Sequence, residues 1–132
     1  MDGLAYIDAS AMVKLVVSEK QSAALVAALS SEWPHLTASE ILAVETARAA
    51  MRSGKATPAL VAKRLASVAL LPLTAEIRRD AGHVGPPGLR SLDAIHLATA
   101  LGASERIGAV LTYDERLATA CRDAGLRVLA PA

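Results

Sequence analysis

Gly3-Leu4-Ala5-Tyr6-Ile7-Asp8-Ala9-Ser10 decides the fold. A short, apolar, β-compatible run ends on a carboxylate, which reads as a buried first strand with an acid at its C-terminal end. Residues 11–17 follow, apolar on nearly every side except Lys14, and predict a buried or covered helix that Ser10 is placed to cap. The same order recurs near the other end of the chain. Ala109-Val110-Leu111-Thr112 reads as a buried strand, and it leads through Tyr113 into Asp114 and a helix that Gly125 stops. Short apolar strands alternating with helices predict an α/β domain with a mainly parallel central sheet flanked by helices. In such sheets function collects outside the C-terminal ends of the strands, which is where Asp8 and Asp114 fall.

Between these two units the pattern continues. A helix is expected over residues 21–31, broken by Trp33-Pro34, and then a brief strand at His35-Leu36-Thr37. Ser39 is placed to cap a third helix over residues 40–52 that Gly54 closes. On it Ile41, Val44, Ala47 and Met51 recur at helical spacing as an apolar stripe, with Glu45 and Arg48 beside it. Taken by itself, Glu45 is explained by a surface ion pair with Arg48. Thr57-Pro58 opens a fourth helix, residues 70–74 read as a strand whose Pro72 marks an edge or an end, and residues 75–81 form a short helix. The Gly- and Pro-rich stretch at 82–88 is a loop. After it comes Arg90-Ser91-Leu92-Asp93-Ala94-Ile95-His96-Leu97-Ala98-Thr99-Ala100, an Ala-rich helix with Asp93 in its first turn and Ser91 as the expected cap. Leu126 to Leu129 makes a final strand.

Composition narrows the possibilities. With 132 residues the chain is the length of one domain, and a net charge of +1 makes any nucleic-acid binding a matter of local patches. Phe is absent and Trp33, Tyr6 and Tyr113 are the aromatics, which argues against a base-stacking platform. The single Cys121 rules out an internal disulfide and a Cys-based zinc set. No basic-then-apolar leader opens the chain and no apolar run approaches the roughly 18 residues of a membrane span. The expectation is a soluble, cytoplasmic protein with no membrane segment.

Asp8, Glu45, Asp93 and Asp114 all stand at or near such boundaries. Asp93 and Asp114 taken singly are ordinary helix-start acids, whereas a carboxylate at the buried end of a strand, as at Asp8, is costly unless it is used. Four carboxylates without Cys ligands or a spaced His pair describe an oxygen-only site, suited to a hard cation such as Mg2+ or Mn2+. Mg2+ is commonly shared between carboxylates and substrate phosphates, which points to phosphate chemistry with a metal-activated water. His96, one turn beyond Asp93, invites a general-base role, but a packed, hydrogen-bonded histidine is the simpler reading. His35 and His83 carry no functional signal.

At these residues the chain resembles the PIN-domain ribonucleases, and in particular the VapC toxins of bacterial toxin-antitoxin pairs. The matching segments are Tyr6-Ile7-Asp8-Ala9-Ser10, Ser39 through Glu45 to Arg48, Leu92 to Ala100, and Leu111-Thr112-Tyr113-Asp114-Glu115-Arg116-Leu117. They run from end to end of the chain, so the resemblance implies a single PIN-like domain over 1–132. It implies catalytic, metal-binding acids at Asp8, Glu45, Asp93 and Asp114, supporting hydroxyls at Ser10 and Thr112, and Mg2+- or Mn2+-dependent hydrolysis of RNA phosphodiesters. A cognate VapB-type antitoxin is the implied partner. Arg90, just before the Asp93 helix, and Arg48 are candidates to hold RNA phosphates. One position departs from the family pattern: many members carry another acid two residues after the one matching Asp114, and here Arg116 stands, which leaves a second cation short of protein ligands.

The helices at 11–17 and 22–29 are too apolar for a well-solvated pair, so part of their surface is expected to meet the antitoxin or a second copy in a homodimer. Other classes fit less well. A receiver-like Mg2+-binding phosphoacceptor domain needs an acid pair after the first strand and a late-strand lysine, and a haloacid-dehalogenase-like phosphatase needs a second Asp where Ser10 stands. A catalytically silent PIN domain acting as a binding module is the remaining alternative, against which the four intact acids argue.

Overall fold

The computed structural model describes residues 3–132. Its elements are β1 (Leu4–Ile7), α1 (Ala9–Val16), α2 (Ser22–Ser31), β2 (His35–Ser39), α3 (Ile41–Ser53), α4 (Pro58–Leu65), β3 (Val68–Leu71), α5 (Ala75–Ala81), α6 (Ser91–Gly102), β4 (Ala109–Leu111), α7 (Glu115–Asp123) and β5 (Val128–Leu129). The five strands form one sheet in the order β3-β2-β1-β4-β5, and every neighbouring pair is parallel. The α/β reading therefore holds.

β1 lies at the centre. Ala5, Tyr6 and Ile7 have no exposed surface, and the strand pairs with β2 on one side and β4 on the other. From β1 the chain works outward through β2 to β3, then crosses back to place β4 and β5 on the opposite side. The order reverses at β1, and a crevice opens beyond the strand ends where such a reversal occurs.

The core clusters around this strand, with Met12, Leu25, Leu42, Leu97, Val110, Leu111 and Leu117 all fully buried or nearly so. Each contributes about 1.5–3 kcal/mol of apolar transfer, offset in large part by chain ordering. Small residues bring α6 close to the sheet, where it buries Ala94, Ala98 and Ala100 beside Leu97. Gly108 is needed for similar reasons: a Cβ there would come within 2.6 Å of the Trp33 ring.

Several expectations are corrected in detail. Asp8, not Ser10, caps α1, its Oδ1 accepting from the Ala11 N–H. Arg90 occupies the cap position of α6 without a side-chain bond, so Ser91 does not cap it. Glu40 stands at the cap position of α3, and the Ser39 hydroxyl accepts only a 3.3 Å bond from the Ile41 N–H. β3 starts and ends earlier than residues 70–74, because Pro72 follows the strand instead of sitting in it. Gly54 does close α3, at φ +65°, a conformation that favours glycine.

The stripe on α3 is the largest surprise. Leu42, Thr46 and Ala50 form the buried row, while Val44 and Met51 are 67% and 71% exposed. The inward row was disguised by a threonine at its centre, so the outward row looked the more apolar. α1, by contrast, is covered within the chain. Ala11, Met12, Val16 and Val17 are buried, with Val16 and Val17 packed against Ala50 and Val61 of α3 and α4. Its apolar character therefore needs no partner, although Val26 on α2 is half exposed. No helix among the described residues is long and apolar enough to cross a membrane.

Candidate active site

Two strand ends and two helices carry the four acids. Asp8 follows β1 directly and Asp114 lies just past β4, where its Oδ1 accepts from the Arg116 and Leu117 amides and caps α7. Asp93 stands in the first turn of α6, and Glu45 on α3.

Asp8 is 3% exposed and is held on both oxygens. Oδ1 accepts from the Ser10 hydroxyl at 2.7 Å and from the Ala11 amide at 3.0 Å, and Oδ2 accepts from the Thr112 hydroxyl at 2.6 Å. Those hydroxyls are themselves fixed by backbone amides: Ser10 Oγ accepts from the Tyr113 amide across the sheet, and Thr112 Oγ1 from the Asp114 amide two residues on. With its backbone amide bonded, each hydroxyl turns its proton to the carboxylate. Burial pushes the Asp8 carboxyl above its ordinary value, and the three donated bonds pull against that shift.

Asp93 is held differently. It is half-buried, and its proton affinity is raised first by burial, then by the charge of Asp114, with Asp8 and Glu45 adding to it. The four carboxylates are thus electrostatic neighbours. Among the described residues, no group of three or more His, Cys, Asp or Glu side chains is drawn into a ready ligand set. The chemistry of the donors, oxygen only and mutually repelling, fits a hard divalent cation.

Glu45 does not pair with Arg48 as the sequence alone allowed. Its Oε1 lies 2.7 Å from His96 Nε2, and His96 Nδ1 lies 2.7 Å from the Tyr6 hydroxyl, whose oxygen also accepts from the Ser39 amide at 3.0 Å. His96 is 2% exposed, and its ring meets that of Tyr6 edge-on. Burial pushes the Tyr6 phenol far up, so it keeps its proton. Sequence spacing does not mark Tyr6 and Ser39 as members of this chain of bonds. The one available signal was a tyrosine inside a wholly apolar strand, whose hydroxyl must find a partner.

Arginines flank the acids on two sides. Arg48 and Arg52 line a groove of about 430 Å3 with Ser10, Val13, Val44, Glu45 and Leu92. Arg90 and Arg116 line a smaller one of about 270 Å3 with Asp93, Asp114 and Glu115. His35 and His83 are exposed.

The family model of the PIN domain matches residues 5–123. The chain is 37% identical over 126 residues to Ribonuclease VapC46 of Mycobacterium tuberculosis (strain ATCC 25618 / H37Rv), covering 96% of each protein. It is 36% identical over 130 residues to Ribonuclease VapC47 of Mycobacterium tuberculosis (strain CDC 1551 / Oshkosh), again with 96% of each covered. Among solved structures it is similar to Mycobacterium tuberculosis VapC20, described as a Sarcin-Ricin loop cleaving toxin, with a TM-score of 0.73 over 96% of this chain and 99% of that one. At 17% identity this last likeness concerns the fold.

Proposed function

The chain belongs to the PIN-domain family, with VapC ribonucleases as its relatives, and on that premise we propose that it is a divalent-metal-dependent endoribonuclease, the toxin of a toxin-antitoxin pair. The observation that supports this reading is that Asp93 feels the charges of Asp114, Asp8 and Glu45, while buried Asp8 is bonded on both oxygens by the Ser10 and Thr112 hydroxyls.

Asp8, Glu45, Asp93 and Asp114 would hold the cation, Mg2+ or Mn2+. When bound, it supplies Lewis acidity toward a water and toward the oxygens of a phosphodiester. Ser10 and Thr112 keep Asp8 ionisable and fixed in direction. Arg90 and Arg116 on one flank, and Arg48 on the other, offer guanidinium groups to the phosphates of a strand laid across the crevice. Arg116 thereby brings positive charge beside Asp93 and Asp114.

A VapB-type antitoxin is the proposed partner, and the exposed Val44, Met51 and Leu92 beside the larger groove offer apolar surface for it or for a second copy of the chain. A cytoplasmic location follows from this role. Incubating purified protein with RNA in millimolar Mg2+ or Mn2+, and in chelator, tests the reading. Cleavage that needs the metal and disappears in Asp93→Asn supports it, and equal cleavage by that variant removes it.

A further inference from the structure

We propose that His96, backed by Tyr6, is a positioning residue for Glu45: a buried relay running from the Ser39 amide through Tyr6 and His96 fixes the Glu45 carboxylate and aims its second oxygen at the crevice. The inference rests on reading Glu45 as a ligand of the cation. A backbone N–H can only donate and a carboxylate can only accept, so the relay is anchored at both ends, by the Ser39 amide on Tyr6 and by Glu45 on His96 Nε2. The Tyr6 oxygen accepts from that amide, and its own proton goes to His96 Nδ1 at 2.7 Å. With Nδ1 accepting, the neutral ring carries its proton on Nε2, and that N–H donates to Glu45 Oε1 at 2.7 Å. The bond uses Oε1 and leaves Oε2 as the oxygen available to the crevice.

Glu45 is the acid that needs such an anchor. Asp8 and Asp114 are short side chains fixed by groups at most three residues away in sequence, apart from Thr112. Glu45 has three side-chain torsions and projects from α3, and its anchor comes from α6, 51 residues further along. The relay also crosses four elements, β1, β2, α3 and α6, so the direction of Glu45 is tied to the sheet and not to its own helix.

The two amide replacements of His96 separate this role from simple packing. In His96→Gln the side-chain amide nitrogen takes the place of Nε2 and still donates to Glu45. In His96→Asn the amide reaches only the place of Nδ1 and leaves Glu45 without a donor. Mn2+ affinity of the protein alone, by calorimetry, is the readout. His96→Asn is expected to weaken it on the order of tenfold or more, as losing an orienting partner does, and His96→Gln about threefold or less. In a Glu45→Gln background the difference between the two should vanish. Equal losses in both variants, or a difference that persists without the Glu45 carboxylate, would overturn the proposal. Nitrogen-15 NMR of the wild-type ring gives an answer that depends on no variant: a proton on Nε2 in Mg2+ and in chelator supports the relay, and a proton on Nδ1 overturns it. RNA cleavage by the same wild-type sample is scored separately. Absent cleavage with the Asn–Gln difference intact removes the nuclease and keeps the relay, whereas absent Mn2+ affinity overturns both.

Discussion

Asp8 and Asp93 lie within electrostatic reach of each other and are built on opposite terms. Asp8 is buried, accepts three hydrogen bonds and caps a helix. Asp93 is half-buried on the first turn of α6, and the charge of Asp114 works against its ionisation. The first carboxylate is part of the scaffold. The second is a charge that the fold tolerates and that a cation or a proton relieves, the pattern expected where function and stability pull apart.

The largest effect expected is one the two share. Removing either carboxylate, as Asp8→Ala or Asp93→Ala, should lower metal-dependent RNA cleavage on the order of a thousandfold or more, since several kcal/mol of charge stabilisation disappear. Single-turnover cleavage at saturating Mg2+ reads this directly. A variant of Asp93 that cleaves at the wild-type rate breaks the pairing of the two residues.

Stability should then divide them. Asp8→Ala removes a helix cap and leaves the Ser10 and Thr112 hydroxyls without their acceptor, a loss of about 2 kcal/mol after relief of the buried charge. Asp93→Ala should change stability by less than about 0.5 kcal/mol, or raise it, as losses away from packed or bonded groups do. Urea unfolding in chelator measures both, and equal losses would erase the distinction.

Titration sharpens the contrast further. The Asp93 carboxyl binds its proton more tightly in the native state than in the unfolded chain, where its value is about 3.9. The native state therefore holds the extra proton between those two values, and metal-free stability falls as pH rises through that window. Asp93→Asn cannot titrate, so its stability relative to wild type in chelator should climb from about pH 4 upward and level off above the raised carboxyl value. A flat difference across this range would mean that neither burial nor the neighbouring charges raise the Asp93 carboxyl.

Asp114 lies between the two extremes and gives the smallest effect. Its Oδ1 caps α7, a task that asparagine performs equally well, so Asp114→Asn should shift stability by only a few tenths of a kcal/mol while Asp114→Ala loses about 1 kcal/mol. Asp114→Asn in chelator should melt at or above the wild-type temperature, because one repelling charge has gone. A lower melting temperature with an unchanged response to Mg2+ would take Asp114 out of the proposed site.

The positions of the acids were readable because strands end where apolar runs end. Asp8 and Asp114 announce themselves as the first polar side chains beyond a buried run, or nearly so, and Asp93 as an acid at the head of an Ala-rich helix. What holds them was not readable. Ser10 looks like a local cap, yet its oxygen accepts from an amide 103 residues away and its proton serves Asp8. Glu45 has a textually closer partner in Arg48, three residues on, and bonds instead to His96. Periodicity reports which face of a helix is apolar but not which neighbour covers it, and so it marks Val44 and Met51, which face outward from α3. Pairings across the sheet leave no trace in the spacing of residues along one strand.

The position of β1 has a consequence for the time at which the crevice comes into being. This strand is synthesised first, yet one of its two neighbours, β4, and the Thr112 hydroxyl that holds Asp8 arrive about 100 residues later. Contacts of such long sequence separation form late and slowly, and during translation at about 5–20 residues per second Asp8 waits several seconds for its partner. A nascent or prematurely terminated chain can carry Asp8 and Glu45 and still lack the strand that joins them to Asp114. Whatever hazard the folded protein poses to the RNA around it, the ribosome that makes it is spared until β4 and Thr112 have been added.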